Sequence, residues 1–255
     1  MFFVFDKKKI YSYLVAVCTV VILFVIATTF TNGKTVETAA TESKKLPIYS
    51  VKTEDKKIAL TMNCAWDAED IDSILTTLEK CNVKITFFMV GDWVEKYPEA
   101  VKKISDKGHE IANHSNTHPH VNQLSLEKNR EEIKACNEKI EKITGKIPIF
   151  YRGPYGEYNN TVVTAAEEEK MKTIQWSLDT LDYSGLTGEQ MWNRLDGKLE
   201  PGSIILTHNG TKHTKESLEM ILTKIKEQGY QVVTVSNLIY QDNYAIDSTG
   251  KQYRK

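Results

Sequence analysis

The sequence predicts an α/β barrel, and three observations carry that prediction. Short apolar runs alternate with helical stretches of about 10–15 residues, the pattern of parallel βαβ units. Three of the runs, at 110–114, 149–152 and 202–208, end in residues with acid–base, ligand or cationic chemistry. When several strands deliver functional groups from their C-terminal ends, those ends form the mouth of a barrel. The 255 residues suffice for one such domain with appendages.

The N-terminal element comes first. Lys7-Lys8-Lys9 precedes an uncharged stretch from residue 10 to about 32, roughly the 20 residues that cross a bilayer as a helix. The lysines hold the start of the chain in the cytoplasm and place the body outside. A cleaved, secreted form is the alternative, although the apolar region is long for a signal peptide and no Ala-x-Ala site comes directly after it. Residues 1–32 are thus expected as a cytoplasmic start and transmembrane anchor, and 33–55 as a linker. The barrel domain is expected at 56–240, with a peripheral polar tail at 241–255.

Strand 57–62 is followed by a helix carrying Ile71, Ile74, Leu75 and Leu78 at helical spacing. Strand 85–90 leads to a helix over 94–106 that stops at Gly108. After strand 110–114, Pro119 prevents a helix from absorbing the next residues. Ser125 caps a long helix that Gly145 ends. Further strands at 149–152, 171–176, 203–208 and 230–235 alternate with helices at 160–169, 188–199 and 215–227, giving seven strands and no internal repeat.

Composition narrows the function. Lys+Arg number 33 against 34 Asp+Glu, and no basic stripe interleaves with aromatics, which excludes nucleic acid as a partner. The four cysteines form no Cys-x-x-Cys pair. Cys81 and Cys136 are open to two readings, a disulfide or two small buried hydrophobes.

His114 and His118, four apart just past a strand end, can hold one divalent metal. His109 opens its strand at the opposite end and, with His120, reads as structural. Arg152, beside a Gly-Pro turn, is a planar cation able to orient a carboxylate. Asp179 and Asp182 come after another strand. One of them can pair with His208 and keep it protonated, as a general acid requires.

These segments, together with Trp66 and Glu69-Asp70, Val90-Gly-Asp-Trp-Val-Glu-Lys-Tyr-Pro-Glu99 and His114-Ser-Asn-Thr-His118-Pro-His120, resemble the polysaccharide deacetylases of carbohydrate esterase family 4. This is the NodB-homology group, and the likeness is to its sporulation-type branch. It covers roughly 56–240. It implies a distorted (β/α)7 barrel and metal-dependent removal of N-acetyl groups from peptidoglycan or a related cell-wall glycan. It further implies a divalent ion, zinc, on His114 and His118, with Arg152 steering the base. His208 becomes the general acid and Asp179 its partner. Leu206 lines the acetyl pocket, the Tyr155 N–H polarises the carbonyl, and Trp66 and Tyr183 wall the substrate site, Tyr183 standing where the family shows Trp.

One motif departs from the pattern. The family's Thr-Phe-Asp-Asp, in which the first Asp is the base and the second a metal ligand, reads Thr61-Met62-Asn63-Cys64 here. An amide accepts no proton at neutral pH, and losing a general base removes about 10²–10⁴ of rate. Cys64 is open to two readings, a third ligand, because thiolate binds zinc well, or a small buried residue at a strand end. Asp67, the nearest carboxylate, is the candidate substitute base. The leading expectation is a membrane-anchored, extracytoplasmic deacetylase with weakened activity. Two alternatives stand beside it: an inactive glycan-binding or structural protein on the same fold, and a barrel hydrolysing a small amide, which the anchor disfavours.

Overall fold

The computed structural model describes residues 7–31 and 43–255, which divide into two units, Met1–Ser43 and Lys44–Lys255. In the first unit the apolar run is a 25-residue helix, α1 (Lys7–Thr31). Its side chains are described only at Lys8 and 11–24. Among the described residues no helix is long and apolar enough to cross a membrane. The expected cytoplasmic start at 1–6 and the linker residues 33–42 lie outside the described residues.

The second unit is a half-barrel of parallel strands. After β1 (Ser50–Val51) come β2 (Lys57–Cys64), β3 (Thr86–Met89), β4 (Glu110–Asn113), β5 (Phe150–Tyr151) and β6 (Lys172–Thr173). β7 (Leu178–Asp179), β8 (Ile204–His208) and β9 (Gln231–Val233) complete the large sheet. Its order is β6-β5-β4-β3-β2-β8-β7, with β9 also on β2. Every pairing in it is parallel, so all strand C-termini lie at one end.

The central strand β2 is buried along nearly its whole length, as a parallel strand covered on both faces must be. Successive side chains face opposite ways. Ile58, Leu60, Met62 and Cys64 therefore pack outward against the helices, in one core cluster with Ile74, Leu78 and Trp93. Ala59 packs inward with Phe88, Ala112 and Phe150.

The helices cover the outer face. α2 (Ile71–Lys80) buries Ile71, Ile74, Leu75 and Leu78, the four residues its spacing selects. The single helix expected at 94–106 is instead two, α3 (Gly91–Lys96) and α4 (Pro98–Asp106). Pro98 has no N–H to give and pushes Tyr97 out of helical geometry; Tyr97 sits at φ −127°, ψ 54°. α5 (Leu126–Thr144) begins with Lys128 N–H donating to the Ser125 hydroxyl and ends at Gly145 with φ 68°. α6 (Asn160–Glu168), α7 (Gly188–Leu195), α8 (Thr214–Glu227) and α9 (Val235–Leu238) complete the set. The strand expected at 171–176 is shortened to β6, and β7, beyond its expected end, is an additional strand at the other edge. The large sheet therefore has eight strands among the described residues rather than seven.

Both expected appendages of the barrel prove to be built into it. Ile48 and Val51, in the stretch expected as linker, are buried. The Ile48 N–H donates to the Thr173 carbonyl, and the Gln175 N–H donates to the Ile48 carbonyl. Residues 241–255, expected as a peripheral tail, form β10 (Tyr244–Ile246) and β11 (Lys251–Arg254). β11 lies between β10 and β1 in a second, three-stranded sheet. Two isolated apolar residues such as Ile48 and Val51 give no periodic signal, so only the tertiary pairing reveals this edge. Gly202, with φ 85°, lets β1 approach: a Cβ there would lie 1.8 Å from the Val51 carbonyl oxygen. Cys81 and Cys136 are free, so no disulfide joins them; Cys136 is the small buried residue expected, while Cys81 is half-buried.

Candidate active site

At the C-terminal end of the strands a cleft of about 480 Å³ is lined by Asn63 of β2, His114 after β4, Asp179 of β7 and Leu206 and His208 of β8. His118, Trp66, Tyr155, Trp176 and Tyr183 complete its walls. A larger depression of about 540 Å³ lies beside Lys80, Cys81 and Tyr230; its Lys80–Glu219 ion pair is an exposed surface contact, and none of the site residues read from the sequence lines it. The strand-end chemistry read from the sequence thus meets in one place.

Arg152 lies behind this cleft, fully buried. Its Nη1 donates to Asn63 Oδ1 at 2.9 Å, its Nε to the Ile174 carbonyl and its Nη2 to the Gln175 carbonyl. The guanidinium stacks 3.9 Å above the Phe88 ring. Burial pulls its pKa down to about 9, so it remains a cation at neutral pH, and no carboxylate forms an ion pair with it among the described residues.

His208 is held by Asp182, not by Asp179. Asp182 is buried; its Oδ1 lies 2.8 Å from His208 Nδ1, and its Oδ2 accepts the His208 backbone N–H and the Thr214 hydroxyl. Asp179 instead accepts the Leu181 N–H at 2.8 Å, and burial raises its pKa. The partner assignment therefore moves three residues along. A short helical turn, Asp182–Ser184, brings Asp182 beside β8. Trp66 and Tyr183 flank the imidazole, with ring centroids 5.4 and 5.2 Å away.

His114 and His118 also meet, with ring centroids 5.1 Å apart. His114 Nδ1 lies 2.7 Å from the Arg152 carbonyl oxygen, which assigns it the N–H and leaves Nε2 with a lone pair. Burial, reinforced by His118, drives the His114 pKa well below its usual value; burial also lowers that of His118. The loop between them is strained, with Ser115 and His118 at φ 68° and 58°, outside the usual range for non-glycine residues. Glu132 of α5 holds it there. Its carboxylate accepts the Asn116 and Thr117 N–H groups and the Ser115 and Thr117 hydroxyls. Sequence reasoning missed Glu132 and Thr214, whose helices place them on the site only in three dimensions. It also gave Asp70 no role: this buried carboxylate accepts the Gly210 N–H and Asn209 Nδ2 and so fixes the turn after His208.

The two candidates for the missing carboxylates do not reach the cleft. Cys64 is wholly buried on the helix side of β2, and burial raises its thiol pKa, opposite to what a metal thiolate needs. Strand alternation makes this unavoidable once Asn63 faces inward. Asp67 Oδ1 accepts the Glu69 N–H in its own loop at 3.1 Å, and its carboxylate is not part of the cleft lining. A catalytic zinc takes three protein ligands. Among the described residues no group of three His, Cys, Asp or Glu side chains could hold a metal. The donor set of two imidazoles therefore does not fit the zinc centre that the resemblance implies. His109 sits at the other end of the sheet, its Nδ1 accepting the Ile85 N–H. His120 stacks on Tyr155 at the rim with centroids 4.4 Å apart.

The family model for polysaccharide deacetylase matches residues 50–174. The chain is 36% identical over 193 residues to the uncharacterized protein YlxY of Bacillus subtilis, covering 76% of this chain and 60% of that protein. It is 33% identical to a peptidoglycan-N-acetylglucosamine deacetylase of Bacillus cereus, covering 71% of this chain and 68% of that one. Against the peptidoglycan-N-acetylglucosamine deacetylase PgdA of Listeria monocytogenes, at 35% identity, it spans 44% of the relative's length. Among solved structures, BA3943 of Bacillus anthracis, described as a CE4 family pseudoenzyme, superposes with TM-score 0.73 at 37% identity over 75% of this chain and 68% of that one. A BA3943 mutant described as having restored enzymatic activity superposes equally well.

Proposed function

Because the chain belongs to the polysaccharide deacetylase family, we propose that it is a cell-wall glycan-binding member whose amide hydrolysis is lost or residual. One observation carries this reading: the base position holds Asn63, locked by a buried arginine, while neither Cys64 nor Asp67 replaces a missing carboxylate. Without a base to take the proton of an attacking water, and without a third ligand for a metal, two contributions to amide hydrolysis are absent together. The likeness to a protein described as a pseudoenzyme points the same way.

The ligand we propose is N-acetylated peptidoglycan or a related glycan. The relatives' names support it, and so do the walls of the cleft. Trp66, Tyr155 and Tyr183 are 49%, 61% and 52% exposed, and exposed aromatic faces around one concave site suit the apolar faces of sugar rings. Leu206 would meet the acetyl methyl and the Tyr155 N–H its carbonyl. The preserved Asp182–His208 pair favours a second reading, residual hydrolysis. We also place the protein at the outer face of a membrane, anchored through its N-terminal segment, on the sequence support of Lys7–Lys9 and the uncharged run after them.

A protein spanning Lys44–Lys255, supplied with zinc and N-acetylglucosamine oligomers, is expected to bind the oligomers while releasing acetate no faster than buffer. Sustained turnover, abolished by His208→Ala, would replace this reading with the hydrolytic one.

A further inference from the structure

A guanidinium has five N–H donors and no acceptor. The Asn63 amide must therefore meet Arg152 with its oxygen, as the 2.9 Å contact from Nη1 to Oδ1 shows. This fixes which way the amide points. Its Nδ2 group has no hydrogen-bond partner among the described residues and opens to the cleft that Asn63 lines. An aspartate in the same place would give one oxygen to Arg152 and turn the other, an acceptor, toward the ligand. Asn63 thus exchanges an acceptor for a donor at the floor of the site and keeps the shape.

The surroundings extend the pattern. His114 gives its Nδ1–H to the Arg152 carbonyl, so its Nε2 can accept. Leu206, 2% exposed, contributes an apolar patch to the same cleft. With the Tyr155 N–H, the Asn63 donor, one acceptor and one apolar wall match a secondary acetamide, which offers a carbonyl oxygen with two lone pairs, an N–H and a methyl group. The donor is also rigid, because Arg152 is tied to the Ile174 and Gln175 carbonyls as well, and a group already held in place loses little freedom on binding.

We propose that Asn63 is a specificity-determining residue that makes the cleft a metal-independent reader of N-acetyl groups, its Nδ2–H donating to the acetamido carbonyl oxygen. The proposal rests on the glycan-binding reading above and adds to it how an acetylated sugar is told from a free amino sugar.

The test titrates the full-length chain in detergent, with a chelator present, against the trimer of N-acetylglucosamine and the trimer of glucosamine. Asn63→Asp is isosteric and keeps the Arg152 contact, so it removes the donor without opening a cavity. Wild type should bind the acetylated trimer with the same affinity with or without chelator. Asn63→Asp should bind it about tenfold more weakly, the size of one lost hydrogen bond with a buried acceptor left facing the carbonyl. The variant should gain affinity for the glucosamine trimer, whose ammonium meets the new carboxylate. Equal affinity of both proteins for the acetylated trimer would overturn the role of Asn63 and leave the glycan-binding reading standing. Binding abolished by the chelator would overturn the metal independence. Absence of wild-type binding with or without chelator would remove the glycan-binding reading itself, and this inference with it.

Discussion

Arg152 brings a full positive charge to a position with no solvent exposure and meets three neutral oxygens there. A buried ion without a counter-ion is costly, because the interior returns only part of the hydration it loses. Phe88 and Trp176, with ring centroids 3.9 and 5.4 Å from the guanidinium carbon, offset some of that cost. Asn63→Asp restores a charge-assisted bond at this spot, and the variant is expected to unfold at higher urea, by about 1–3 kcal/mol. An unchanged or lower midpoint would show that desolvating the new carboxylate outweighs its attraction to the guanidinium. His208 differs, since Asp182 gives its ring a carboxylate partner at 2.8 Å. The site therefore holds one imidazole–carboxylate pair and sets only an amide, not a carboxylate, against its guanidinium.

The clearest device at the scale of elements is the contact between α5 and the loop from His114 to His118. Two residues of that loop sit in the left-handed region, and backbone held there persists only where its surroundings enforce it. Glu132 supplies the enforcement with four accepted hydrogen bonds, and those bonds lower its pKa even against partial burial. Glu132→Ala should destabilise the fold by about 2 kcal/mol. It should also speed hydrogen exchange at the Asn116 and Thr117 amides while leaving the amides of β2 slow. Unaltered exchange at those two positions would mean that the loop holds its shape without α5.

Acid stability belongs to the whole molecule. Burial keeps three histidines neutral in the folded chain: His109 at one pole of the sheet, its pKa lowered from 6.5 to about 4, and His114 and His118 at the other. The unfolded chain takes up these protons as pH falls below about 6.5, so it binds more protons than the folded one and folding stability declines with pH. Asp70 and Asp179 oppose this, since burial raises their pKa values from 3.8, but they are two against three. The urea midpoint should hence be greatest above pH 6.5 and drop steadily toward pH 4, and His109→Gln should flatten part of that slope. A midpoint constant from pH 7 to 4.5 would contradict the burial of these rings.

The alternation of strand and helix, the convergence of His114, Arg152, Asp179 and His208, and the absence of both carboxylates at 63 and 64 were all legible in the order of residues. Periodicity and chain-adjacent chemistry are local properties, and strand ends in a parallel sheet must lie together. Which aspartate holds His208, where Cys64 faces, and that 44–55 and 241–255 close the edge of the barrel were decided only by the tertiary structure. Each depends on the direction of a side chain or the pairing of segments far apart in sequence. Asp182 wins over Asp179 because a turn swings it behind β8. Cys64 faces the helices because its neighbour Asn63 faces in, and β1 pairs with β11 across some two hundred residues that carry no local sign of it.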